Sequence, residues 1–218
     1  MLKLLISFCC LGFLSLSTSA FEIYATGSGV EDCKFVPSQQ KFTADLQQLL
    51  IDQGTNVTVV NGGTRQEKNL EFIWRNFKLD MNSNVKLVIY VSPGGGYKHP
   101  QWMQLEYIEK VLAYTQNNGI ATIIVLPIRK LDPNDDFLKK TDALTNKYSG
   151  YDYGSYAKNI SEDPENWVYR YTALMNDTFA PSRQRPKNKE FLTARGCYIW
   201  AENMLPLVLR VIKERNIQ

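Results

Sequence analysis

Ser28 stands between Gly27 and Gly29 in the stretch ATGSGVED (residues 25–32), directly after the alternating run FEIY. A glycine-flanked serine at the end of a strand suits three roles. It can be a nucleophile on a sharp elbow, part of an anion cradle of backbone N–H groups, or a plain tight turn. A nucleophilic serine needs a base, and His99 is the one histidine in the chain. Two more glycine-rich segments, Asn61-Gly62-Gly63 and Pro93-Gly94-Gly95-Gly96, are spaced along the sequence. Glycines let backbone N–H groups approach a ligand closely, as an oxyanion hole requires; they also make ordinary turns.

The surrounding hydropathy says what positions these segments. Short β-branched runs at 56–61, 85–92 and 120–127, with 21–26 before them, read as strands, the later ones buried on both faces. Between them lie helical patterns. Ser38 is placed to cap a helix carrying Phe42, Leu46, Leu49 and Leu50, which Gly54 stops. Leu70, Ile73, Trp74 and Phe77 share one face of a second, and Leu105, Ile108, Val111 and Leu112 one face of a third. A last helix over 193–215 carries Tyr198, Ala201, Leu205, Val208 and Ile212, with Pro206 as an expected kink.

Residues 130–190 are polar, tyrosine-rich and punctuated by proline and glycine, and read as largely irregular. A fifth strand near 151–156 and a short helix near 166–174 are expected there. The alternation of strand and helix predicts a parallel sheet with right-handed crossovers. In such a sheet ligands sit outside the carboxyl ends of the strands, where the strand order reverses. The glycine-rich segments all fall at those ends.

Composition narrows the function. The chain has 218 residues and a net charge of +3, with basic residues scattered except for the run at 183–189. That pattern implies no nucleic-acid partner. Lys3 opens an apolar run ending in Thr18-Ser19-Ala20, read as a secretory signal cleaved near Ala20. Residues 21–218 are then a single domain, secreted or periplasmic, with no membrane span. Cys33 and Cys197 are the two cysteines left, and in an oxidising compartment two thiols suggest one disulfide if the fold brings them together. No cluster has metal-ligand spacing, and Gly27-x-Gly29 lacks a dinucleotide fingerprint's third glycine, since Asp32 stands there. No metal and no cofactor is implied.

The most specific pattern is Phe191-Leu-Thr-Ala-Arg-Gly-Cys-Tyr-Ile-Trp-Ala-Glu202. It resembles the last block of the SGNH (GDSL-type) hydrolases, D-x-x-H-L-T-x-x-G-Y followed by a W-A-E helix. Asn61-Gly62-Gly63 resembles that family's second block, N-x-G. The strand ending at Gly96 resembles its third, G-x-N-D, and the strand ending at Gly29 its first, G-D-S. Order and spacing match over nearly all of residues 21–218.

The resemblance implies a three-layer flavodoxin-like sandwich of about five parallel strands, ordered 2-1-3-4-5. In that fold the first and last helices share one face of the sheet, which makes a Cys33–Cys197 bridge sensible. It also implies ester chemistry by a serine, a histidine and an aspartate, with an oxyanion hole built partly by the second-block glycine. Carried over by position, the nucleophile falls on Gly29, the oxyanion asparagine on Gly96, the aspartate on Asn188 and the histidine on Phe191. Only the second-block glycine is kept, as Gly63.

The expectation is an exported, catalytically degenerate SGNH-like protein. It keeps a strand-end cleft, with Gly29, Gly63 and Gly96 as its backbone, for a glycan, an acyl ester or a protein partner. Tyr97, Trp102, Tyr151, Tyr153 and Tyr156 are candidate flat surfaces there, with burial in the core as their alternative role. Two other readings stand beside it. One is an esterase or O-acetyl hydrolase rewired to use Ser28 with His99; the other is a structural subunit of an envelope or secretion assembly.

Overall fold

A computed structural model describes residues 20–27, 33, 36–63, 70–93, 100–126, 134–161, 165, 167–169 and 189–218. Its centre is a five-stranded, wholly parallel sheet ordered β2-β1-β3-β4-β5. The strands are β1 (Phe21–Gly27), β2 (Val57–Asn61), β3 (Val85–Val91), β4 (Ala121–Leu126) and β5 (Tyr151–Ser155). The helices are α1 (Phe42–Asp52), α2 (Leu70–Asp80), α3 (Gln101–Asn117), α4 (Asp136–Lys147) and α5 (Ala194–Glu214). A small antiparallel pair, β6 (Trp167–Tyr169) and β7 (Lys189–Leu192), precedes α5. The architecture is the three-layer α/β sandwich, with the strand order, that the family resemblance implies.

Strand alternation divides the core in two. Ile23, Ala25, Leu87, Ile89, Val91, Ile123 and Val125 point toward α1 and α5, and pack on Phe42, Leu46, Trp200 and Met204. Tyr24, Val88, Tyr90, Ile124 and Leu126 point the other way, onto Ile73, Phe77, Ile108, Val111 and Phe137. Because both faces are covered, β3 and β4 are apolar almost throughout rather than alternating.

Both outer strands have a backbone N–H capped by a side chain. Val59 donates to Gln47 Oε1 on α1 at 2.8 Å, and Gly154 donates to Asp152 Oδ1 at 3.0 Å. Such contacts blunt an edge that would otherwise recruit another strand.

Three sequence expectations need correction. Ser38 does not cap α1: it opens a single 3-10 turn, Ser38–Gln40, and Lys41 takes the cap position without a side-chain bond. The tract 130–190 is more regular than its polarity suggests, because it contains α4. That helix buries threonines, Thr141 and Thr145, beside Phe137, so its apolar signal is weak. The threonine hydroxyls are buried at little cost, since each donates to the carbonyl four residues back, at 2.9 and 2.6 Å. Finally, residues 167–169 are a strand, not part of a helix near 166–174.

The α1–α5 face is closed covalently. Cys33 and Cys197 form a disulfide, with Cα atoms 6.6 Å apart and a sequence separation of 164. Both are buried, and the Phe42 and Trp200 rings stack at 4.0 Å nearby in the same core. Asp45 lies on the same helix as Phe42, with one carboxylate oxygen buried and unpartnered among the described residues. Burial pushes its carboxyl from 3.8 up to about 6.

Two predictions follow from this face. Closing so long a loop constrains the unfolded chain by on the order of 5 kcal/mol in the chain-entropy account. Cys197→Ser is therefore expected to lower the urea midpoint strongly, and reduction of the wild type to give the same midpoint. For Asp45, the native state binds a proton more tightly than the unfolded chain. The resulting penalty is absent below pH 4, grows as pH rises through 4 to 6, and is complete above 6. Asp45→Asn is expected to raise the melting temperature at pH 7.5 and leave it nearly unchanged at pH 4, as read by thermal melts at both.

Candidate functional site

The order β2-β1-β3 reverses direction at β1, so the chain leaves β1 toward α1 on one face and leaves β3 toward α3 on the other. A crevice opens at the carboxyl ends between such diverging crossovers. Gly27 and Val91 face each other there as the last paired residues of β1 and β3. Gly27 has φ of +126°, and a Cβ on it would lie 2.0 Å from the Val91 carbonyl oxygen. Glycine is demanded at this point by backbone packing alone.

The next strand end is just as tight. Gly62 N–H donates to Ala25 O at 2.7 Å, and Thr26 Oγ1 donates to Gly62 O at 3.3 Å. A Cβ on Gly62 would lie 2.2 Å from the Tyr24 hydroxyl, which itself donates to Asp80 Oδ2 at 2.5 Å. Gly63 N–H donates to Asn61 Oδ1 at 3.0 Å, closing a side-chain turn over two residues. At the third end, Ser92 N–H holds Val125 O at 2.9 Å and Ser92 Oγ donates to Gln104 Oε1 at 3.5 Å. At the fifth, Ser155 Oγ accepts from Ala157 N–H at 3.1 Å.

The described rim thus presents backbone turns. Its hydroxyls, on Thr26, Ser92 and Ser155, are all buried and all engaged. The buried Ser92–Gln104 pair was not foreseen, because a lone glutamine on an amphipathic helix gives no hint that it points inward.

No protein-family model and no curated protein matches the chain. Solved structures do. The psychrotrophic esterase EstA from Pseudoalteromonas sp., inhibited by monoethylphosphonate, aligns over 88% of this chain and 98% of its own, with TM-score 0.63 and 10% identity. TesA aligns over 87% and 99%, with TM-score 0.62 and 12% identity. AlinE4, an SGNH-hydrolase family esterase, aligns over 89% and 98%, with TM-score 0.55 and 16% identity. The fold is that of the SGNH hydrolases.

On the SGNH fold the last sequence block becomes physically legible. Thr193 is the N-cap of α5: its Oγ1 accepts from Gly196 N–H at 3.1 Å and donates to Glu165 O at 2.5 Å. Leu192, Gly196, Trp200 and Ala201 are all buried at the junction. The L-T-x-x-G and W-A segments are therefore a capped, close-packed helix start. Phe191 lies on β7, opposite Val168 in the antiparallel pair.

Ser28, Gly29, Gly96, Tyr97, His99 and Asn188 lie outside the described residues, and so does any Ser28–His99 pairing. Tyr153 and Tyr156 belong to the core, Tyr156 edge-on to Trp200 at 6.1 Å. Tyr151 starts β5 at the opposite, amino end of the sheet, where Arg215 Nε donates to its hydroxyl at 3.1 Å. Trp102, on the first turn of α3, is 63% exposed. Among the described residues no group of His, Cys, Asp and Glu is placed to hold a metal ion.

Gly27→Ala tests whether the strand-end geometry is fixed by sterics. The alanine meets both an unfavourable φ and a carbonyl, so a loss on the order of 3 kcal/mol or a failure to fold is expected. Gly54→Ala, also at positive φ (+81°) but with open space around it, is the control. It should cost only about 1 kcal/mol in urea unfolding.

Proposed function

We propose that residues 21–218 are an exported SGNH-fold domain that binds a ligand at its strand-end cleft rather than hydrolysing esters there. One contrast carries this reading. The last block keeps the residues that build the helix start, Leu192, Thr193, Gly196, Trp200 and Ala201, and replaces the two that would do chemistry. Asn188 stands where the resemblance puts an aspartate, and Phe191 where it puts the base. Phenylalanine has no lone pair to accept a serine proton, so the usual activation is missing.

The rest of the rim supports the same reading. Gly63 N–H, the oxyanion donor kept by position, is committed to Asn61, so an oxyanion would have to displace that bond. Gly29 and Gly96 stand at the nucleophile and oxyanion-asparagine positions. The Cys33–Cys197 bridge fits an oxidising compartment, as does removal of a signal near Ala20. No helix among the described residues is long and apolar enough to cross a membrane. The esterase neighbours suggest, by analogy, an acyl ester as the bound class.

The alternative, hydrolysis by a rewired Ser28–His99 pair, makes the opposite forecast. Purified protein is expected to show no turnover of p-nitrophenyl acetate that Ser28→Ala or His99→Ala removes, and no labelling by a fluorophosphonate probe. Labelling at Ser28 would overturn the binding reading. Restoring the family residues together, Gly29→Ser, Gly96→Asn, Asn188→Asp and Phe191→His, is expected to make the protein label. That gain would place the defect at those positions.

A further inference from the structure

A second candidate site lies outside the crevice, between α3 and α4. It is a surface groove of about 480 Å³ floored by Leu105 from α3 and by Ala143 and Leu144 from α4. Trp102 stands at one end with 63% of its surface exposed. A large indole left in water beside a continuous apolar floor is unusual for a surface helix, whose outer residues are normally polar.

The charges on the walls are unevenly matched. Glu106 is paired with Lys110 at 2.8 Å. Glu109 accepts from both Lys147, at 2.7 Å, and the Tyr148 hydroxyl, at 2.8 Å. Lys140 has no partner among the described residues. Among the described residues the groove's walls therefore hold one lysine, Lys140, outside any ion pair, above an apolar floor.

The positions along the helices give it a direction. Trp102 is the second residue of α3 and Lys140 the fifth of α4, both in the helix halves nearest the strand carboxyl ends. Glu109 and Lys147 lie about 10 Å further along, seven residues on in each helix. Their ion pair bridges the two helices and closes the far end.

We propose that this groove binds a single-chain anionic amphiphile, a medium-length fatty carboxylate. The carboxylate would pair with Lys140, and the chain would run over Leu144 and Leu105 beside the indole toward the Glu109–Lys147 bridge. Apolar floor and lone cation together select this class: a neutral lipid leaves Lys140 unmatched, and a small anion leaves the floor in water. The site is separate from the strand-end crevice and does not depend on the reading given to that crevice.

Sodium decanoate, kept below its micellar concentration at pH 7.5, is the probe, titrated into the purified protein by calorimetry and by tryptophan fluorescence. Saturable one-site binding with a blue shift is expected. Trp102→Phe should abolish the shift while calorimetric binding remains. Lys140→Glu, on an exposed position that leaves folding intact, should weaken decanoate about fivefold and leave decanol unaffected. Leu144→Asp, checked for folding by circular dichroism, should remove saturation. Absence of saturable binding, or binding that Lys140→Glu and Leu144→Asp leave unchanged, would overturn the proposal. So would a concentration-dependent dimer that buries Trp102, which would make the occupant a second copy of the chain.

Discussion

The approach of Gly27 to the Val91 carbonyl is the constraint on which the strand-end region depends. It lets β1 stay paired with β3 to its last residue. Any side chain there would pry the two strands apart where their crossovers diverge to opposite faces. With the pair closed, Gly62 can come down over Tyr24 and accept from Thr26, so the second strand end is fixed by the first. The crevice is thus shaped by backbone contacts before any functional side chain enters it.

The two helical layers are secured by different means. On the α1–α5 side the disulfide and the Phe42–Trp200 stack join elements from opposite ends of the chain. On the α2–α4 side the ties are polar and nearer the surface: Tyr24 to Asp80, Tyr107 to Glu71 at 2.6 Å, and Lys147 and Tyr148 to Glu109. Burial and the neighbouring Glu71 push the Tyr107 phenol up to about 12, so it stays a donor throughout the physiological range. The covalent layer holds the first and last segments together. The polar layer leaves a groove between α3 and α4, bridged at its far end by Lys147 and Tyr148 on Glu109.

Legibility in the sequence followed the strength of each physical signal. Strands buried on both faces write themselves as apolar runs, so β3 and β4 were plain, and strand–helix alternation made the sheet parallel, while its order came from the family resemblance. α4 was missed because it uses threonine where most helices use leucine, with hydroxyls folded back on their own carbonyls. Its start did carry a signal: Asp135 caps it, accepting from Phe137 N–H at 2.8 Å. Ser38 misled because a capping residue type opened a 3-10 turn three residues early. At the rim the glycines were legible, but what each one does was not. Gly27 and Gly62 answer to sterics, and the commitment of Gly63 N–H to Asn61 depends on a local turn that composition does not reveal.

The same distinction explains how a chain can resemble a hydrolase family in its blocks and differ at the reacting positions. Each block mixes two demands. Gly27, Gly62, Thr193, Gly196 and Trp200 answer to packing and capping, and changing them costs the fold itself. The residues that would attack, relay a proton or bind an oxyanion answer only to chemistry, and the core does not require them. By position, the resemblance puts Gly29, Gly96, Asn188 and Phe191 in that second set. A chain released from the chemical demand but still held to the structural one would keep the first set and lose the second.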